Sequence, residues 1–158
     1  PGKGAAFKLH FPIPLFPALS ESGDELLEDG VPGGNETILL VEDEDALRDL
    51  VQSLLESKGY NLLIASEGEE AVALFKQHHS RIDLVLTDLG LPKLDGWGAS
   101  KQMKAVNPDL KIIVASGYLD PDMKQEMIES GCIREFVQKP YLPTELTATV
   151  RSLLDGTP

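Results

Sequence analysis

One cysteine, Cys132, stands in a chain of 158 residues. No intrachain disulfide can form, and no zinc cluster can be built from thiolates. That scarcity fits a reducing cytosol, and a cytoplasmic location is expected. The three histidines, His10, His78 and His79, show no metal-ligand spacing. The adjacent pair closes a helix-like segment, where the helix dipole and water account for it. No apolar run approaches the roughly 20 residues of a membrane span. The opening Pro1-Gly2-Lys3-Gly4 lacks the order of a secretory signal, and a start without methionine reads as the mark of a fragment. Bases are scarce too: 14 Lys and Arg against 26 Asp and Glu give a formal net charge of −12. General nucleic-acid binding needs a basic face, and the charge argues against it. Contact with an anionic membrane surface is disfavoured.

What is present is an alternation of strand and helix signals over residues 37–155. Strands are expected near 37–41, 61–65, 82–87, 111–115 and 134–138. The first intervening helix carries Leu47, Leu50, Val51, Leu54 and Leu55 on one face, with Gly59 just past its end. The second carries Ala71, Leu74 and Phe75. The third carries Ala99, Met103 and Val106 and stops before Pro108. The fourth runs from about Pro121 to Gly131, and the last starts at Pro143 with Leu146, Val150, Leu153 and Leu154 facing inward. Ile38 to Val41 and Ile112 to Ala115 are unbroken apolar runs, the signature of parallel strands buried on both faces. The expected fold is α/β, a doubly wound five-stranded parallel sheet with helices on both faces.

Residues 1–36 differ. Phe7, Leu9, Phe11, Ile13 and Leu15 alternate as in a strand, interrupted by Pro12, Pro14 and Pro17. Such an orphan strand could pair with a second copy of the chain, so a homodimer through residues 1–34 is one expectation. Residues 18–36 are acidic, and Gly30, Pro32, Gly33 and Gly34 read as a flexible connection.

The strand ends concentrate the chemistry. The first strand finishes on Glu42-Asp43, the third on Asp88, the fourth on Ser116 and the fifth on Lys139-Pro140. In an open parallel sheet these groups meet at one edge, where such sheets bind ligands. Oxygen ligands suit a hard cation such as Mg²⁺ or Mn²⁺, which also relieves repulsion among clustered carboxylates. Asp43 and Asp88 would supply carboxylate oxygens, Gly90 its backbone carbonyl, and Glu42 a contact through water. Asp88 could take a phosphoryl group as a nucleophile. Lys139 would hold a phosphoryl oxygen as a point charge, and Ser116 would donate to another. Smaller roles are expected elsewhere: Asp45 as a helix cap, Asp95-Gly96 as a turn and helix start, Trp97 in helix packing, Met123 and Met127 in the fourth helix's core or partner face.

Val41-Glu42-Asp43-Glu44, Leu86 through Gly96 around Asp88, Ala115-Ser116-Gly117-Tyr118 and Lys139-Pro140, in that order, resemble the receiver domain of two-component response regulators. The resemblance covers about residues 36–155. It implies a flavodoxin-like receiver fold and Mg²⁺-dependent phosphoryl transfer from a phosphohistidine to Asp88. Self-catalysed transfer and slow autodephosphorylation follow, with no separate hydrolase function. It implies as partners a histidine kinase or a histidine phosphotransfer protein. It places the aromatic switch on Phe136, tuning of the dephosphorylation rate on Tyr118, and a candidate cis bond at Lys139–Pro140. Phosphorylation would then alter the face of the fourth helix, fifth strand and fifth helix, a second possible homodimer surface. Pro1 to Pro12 looks like the last glycine box and final strand of a histidine-kinase ATP-binding domain. Residues 1–17 are thus expected to be a kinase remnant, 18–36 a linker and 37–155 a receiver, together the carboxyl-terminal part of a hybrid histidine kinase.

Three rivals share the fold. A hydrolase with an aspartyl nucleophile usually has a second acid two residues on, where Gly90 stands. An interaction module without phosphorylation would not need Asp43, Asp88, Ser116 and Lys139 together. A flavin binder needs a hydroxyl-rich phosphate loop, where Glu42 to Asp45 would repel phosphate.

Overall fold

A computed structural model describes residues 31–118 and 120–156. The proposed kinase remnant and most of the linker lie outside the described residues. Five strands and five helices alternate: β1 (Thr37–Val41), α1 (Asp45–Ser57), β2 (Asn61–Ala65), α2 (Gly68–His78), β3 (Leu84–Asp88), α3 (Gly96–Val106), β4 (Lys111–Ser116), α4 (Pro121–Glu129), β5 (Glu135–Gln138) and α5 (Pro143–Asp155). The strands form one parallel sheet in the order β2-β1-β3-β4-β5.

That order follows from chain direction and handedness. From β1 to β2 the chain moves one way across the sheet; from β2 to β3, and on to β4 and β5, it moves the other way. Right-handed crossovers then put α1 on one face and α2, α3 and α4 on the opposite face. Side-chain alternation divides the apolar strands accordingly. Ile38, Leu40, Leu84, Leu86 and Ile113 pack with Val51 and Leu55 of α1 and Leu146 and Val150 of α5. Leu39, Val41, Val85, Ile112 and Val114 pack with Phe75 of α2, Met103 of α3 and Met127 of α4. Each fully buried side chain of this size contributes about 1.5–3 kcal/mol relative to exposure. The reversal of direction between β1 and β3 opens the switch-point crevice at their carboxyl ends.

Some expectations are corrected. β3 begins at Leu84 rather than 82, β5 at Glu135 rather than 134, and α4 ends at Glu129. Leu50 does not join the inward face of α1; it is 54% exposed. At about 100° per residue it lies roughly 90° from the centre of the stripe made by Leu47, Val51, Leu54 and Leu55. Val106, the last residue of α3, is 40% exposed. Asp45 is not the helix cap but the first residue of α1. The cap position is Glu44, whose side chain makes no capping bond, while Asp45 pairs with Arg48 one turn on. Asp95 does cap α3, accepting from the Gly98 N–H at 2.6 Å. Met123 is exposed on α4 while Met127 is buried, so the two divide between surface and core.

Gly33 and Gly34, expected to be a loose connection, are packed against the domain. The Gly34 N–H donates to the Lys58 carbonyl at 3.0 Å. A Cβ at Gly33 would lie 1.8 Å from that carbonyl, and one at Gly34 2.5 Å from Arg151 Nη1. Glu36 accepts both guanidinium arms of Arg151, at 2.7 and 3.2 Å, and Arg151 also pairs with Asp155 at 2.8 Å. These contacts strap residues 33–36 to α1 and α5. The Arg151 hydrogen bond is the main reason that the Glu36 carboxyl lies below its ordinary value.

Glu36→Gln is expected to lower stability by about 1 kcal/mol at neutral pH. Because the folded-state value of Glu36 is depressed, this contribution is present above the unfolded value of 4.5 and is lost as pH falls through the folded one. Urea midpoints of wild type and variant, separate at neutral pH, should therefore converge in acid.

Candidate functional site

The carboxyl edge of the sheet gathers the acids. Val41 pairs with Thr87 and Asp88 with Ala115, while Ser116 pairs with Gln138. Glu42 and Asp43 leave β1 beside the end of β3. Carboxylate oxygens of Glu42, Asp43 and Asp88 lie within 4.8 Å of one another. Lys139 crosses from the end of β5: its Nζ is 2.6 Å from Glu42 Oε2 and 3.0 Å from Asp88 Oδ2. The Lys139 N–H donates to the Ser116 carbonyl at 2.8 Å, which ties the two strand ends together. The Lys139–Pro140 peptide is cis, as expected.

Burial sets the electrostatics. Glu42 is almost fully enclosed, and this pushes its carboxyl above the ordinary value despite the opposing hydrogen bond from Lys139. Burial pulls the Lys139 ammonium down, but its hydrogen bonds to Glu42 and Asp88 outweigh that and leave it raised. Tyr141, half-buried beyond the cis bond, is raised first by burial and then by the charges of Glu42, Asp88 and Glu44. Three carboxylates against one ammonium leave an excess of two negative charges, which one divalent cation would cancel. The donor set is all hard oxygen. Two oxygens on one Mg²⁺ stand at most about 4.2 Å apart, so small movements would bring these groups into range. The residues present therefore fit a magnesium-like cation.

The remaining expected residues occupy the rim. Gly90 is exposed two residues past Asp88, and its N–H donates to Asp88 Oδ1 at 3.2 Å. Ser116 Oγ donates to the Tyr118 carbonyl at 2.6 Å, within its own loop. Tyr118 is 79% exposed. Phe136 is half-buried against the core, with Lys124 Nζ 5.3 Å from its ring centroid.

Sequence reasoning missed two contributors. Gly96 is more than a turn residue: a Cβ there would lie 2.1 Å from the Asp88 carbonyl and 3.1 Å from Thr87 Oγ1. Its absence lets the start of α3 pass directly beneath Asp88. Nothing in a lone Asp-Gly step distinguishes close approach from an ordinary turn. Arg48 donates from Nη1 to the Glu42 carbonyl at 3.1 Å. Its three-residue spacing from Asp45 was the available signal.

Gly96→Ala is expected to lower stability by about 2–3 kcal/mol, because backbone must move to admit the methyl. Gly117→Ala, where a Cβ meets nothing within 4 Å, should change stability by less than about 0.5 kcal/mol. Urea denaturation measures both. Lys139→Met leaves Glu42 and Asp88 facing each other and should cost about 2 kcal/mol at neutral pH. Glu42, already raised, would rise further and bind its proton more tightly in the folded state. The penalty is thus absent below the unfolded value of 4.5 and grows as pH rises through the folded one. Chemical denaturation of wild type and variant across that range checks the sign.

The comparisons agree with this geometry. Residues 38–151 match the family model of the response regulator receiver domain. A probable transcriptional regulator, ycf27, of Porphyridium aerugineum is 35% identical over 119 residues, 75% of this chain and 48% of that protein. The sensor kinase CckA of Brucella abortus is 29% identical over 160 residues, 98% of this chain and 17% of that protein. The chain thus spans less than half the length of either relative. The receiver domain of the sensor histidine kinase PA1611 of Pseudomonas aeruginosa superposes with a TM-score of 0.67 at 25% identity, over 77% of this chain and 99% of that one. That structure has a magnesium ion coordinated in its active-site cleft. By its sheet order, its carboxyl-edge acids and its matched span, the chain belongs to the response regulator receiver domain family of two-component signalling.

Proposed function

We propose that this chain is a phospho-accepting receiver in which Asp88 takes a phosphoryl group from the phosphohistidine of a histidine kinase or a histidine phosphotransfer protein. One observation carries the reading. Asp88 belongs at once to a three-carboxylate cluster and to an ion pair with Lys139, and it remains partly exposed at the sheet edge. An Asp88 oxygen would attack phosphorus in line, the phosphorus–nitrogen bond would break, and the electron pair would leave with the imidazole. The product is an acyl phosphate, which water later hydrolyses to regenerate the carboxylate.

Asp43, Asp88 and the Gly90 carbonyl would hold Mg²⁺ or Mn²⁺, with Glu42 reaching it through water. When bound, the cation neutralises charge developing on the phosphoryl oxygens. Lys139 would exchange its contact with Asp88 for one with the phosphoryl group. Ser116 would exchange the Tyr118 carbonyl for another phosphoryl oxygen. Loss of that loop bond, followed by burial of Phe136, would alter the α4–β5–α5 face, where Met123 and Ile128 are exposed. Gly90 offers no side chain to position water, which leaves rate tuning to Tyr118.

A place within a hybrid histidine kinase is supported by the Brucella sensor kinase, whose alignment covers 98% of this chain and so includes most of residues 1–36. Residues 1–17 are read as the kinase remnant, 18–36 as the connection and 37–155 as the receiver. The test is intact-mass analysis after incubation with acetyl phosphate. Wild type should gain one phosphoryl group with Mg²⁺ present and none with excess chelator, and Asp88→Ala should gain none. A gain that survives in Asp88→Ala, or none in wild type, would sink the reading.

A further inference from the structure

We propose that Arg48 is a positioning residue for the divalent-cation site of Glu42, Asp43 and Asp88, a proposal that rests on the reading of that site given above. Arg48 lies in the first turn of α1, and its side chain is only 18% exposed. One arm of its guanidinium donates to the Glu42 carbonyl at 3.1 Å. The other bonds the Asp45 carboxylate. A single planar fork therefore joins the residue that leaves β1 to the residue that starts α1. Asp43 hangs on the two-residue bridge between these anchored points.

Glu42 is also held by its N–H to the Ala65 carbonyl at 3.1 Å and by Lys139, and the Glu44 carbonyl accepts from the Arg48 N–H at 2.9 Å. The helix-cap position, Glu44, makes no side-chain capping bond. The contact inside the turn, from the Glu44 N–H to Glu42 Oε1, is long at 3.4 Å. Without the Arg48 side chain the bridge that carries Asp43 would lose the fork that joins its two ends. The Asp43 carboxylate would then lose its fixed place beside Asp88.

Charge and geometry predict opposite outcomes. A guanidinium beside the acids repels a cation, so as a charge alone Arg48 would weaken Mg²⁺ binding. As a fork it assembles the ligands and strengthens binding, in the manner of groups that orient metal ligands from behind. Lysine keeps the charge but cannot bridge a carbonyl and a carboxylate with the same planar geometry.

The experiment is calorimetric titration of the whole chain with MgCl₂, alongside thermal melting of the cation-free protein. Arg48→Met is expected to weaken Mg²⁺ binding about tenfold, and Arg48→Lys by a smaller factor. Weakening in both variants, beyond any common change in melting temperature, supports the proposal. Tighter binding by Arg48→Met would show that the charge dominates and overturns it. Unchanged affinity with a lowered melting temperature would make Arg48 merely structural and overturns it too. Should Arg48→Met fail to fold, Arg48→Lys decides: affinity equal to wild type overturns the proposal. No Mg²⁺ binding by wild type overturns the site reading and this proposal together; binding that the variants leave intact overturns this proposal alone.

Discussion

The Lys139 ammonium, set between Glu42 and Asp88, is the contact on which the carboxyl edge of this sheet depends. Both acids sit where parallel strands end, and burial makes ionisation of Glu42 costly. A single cation from the far strand satisfies them across β1, β3 and β5, the last brought close through β4. The fold must therefore place four strand ends in register before the edge is electrostatically tolerable. In return the site is partly neutralised while keeping an excess of negative charge. A divalent ion and a phosphoryl group would redistribute that charge rather than create it.

The two-sided core explains how such an edge is kept rigid. The unbroken apolar runs at Ile38–Val41 and Ile112–Ala115 send alternate side chains to opposite faces, so neither strand can slip by one residue without exchanging its two cores. Register is thereby fixed by burial far from the acids, and the acids inherit it. Gly96 adds a local constraint, since α3 can pass beneath Asp88 only where no side chain intervenes.

Much of this was legible in the sequence because it depends on period and position. Unbroken apolar runs between helical stripes give parallel strands, and polar residues at strand ends give an edge, whereas the strand order is seen only in the structure. The strand-end positions of Asp43, Asp88, Ser116 and Lys139 were legible for the same reason. What escaped were contacts between residues whose own neighbourhoods carry little signal. Leu50 sits on a helical stripe but beyond the width that the sheet covers. Asp45 looked like a cap because an acid just before a helical stripe suits that role, and its three-residue spacing from Arg48 was the weaker signal. Gly33 and Gly34 looked loose because a glycine chosen for close approach and one chosen for freedom are the same letter.

Those last glycines change how the domain is joined to what comes before it. Glu36 and Arg151 bind residues 33–36 to α5 at the amino edge of the sheet, opposite the acids. α5 also borders the face that would respond to phosphorylation. A small rotation of α5 would therefore be carried by the Arg151 guanidinium to the point where the chain enters the domain. The chain therefore enters the domain from a pinned heading, clasped at Gly34 by the end of α1 and at Glu36 by α5, and not on a free tether.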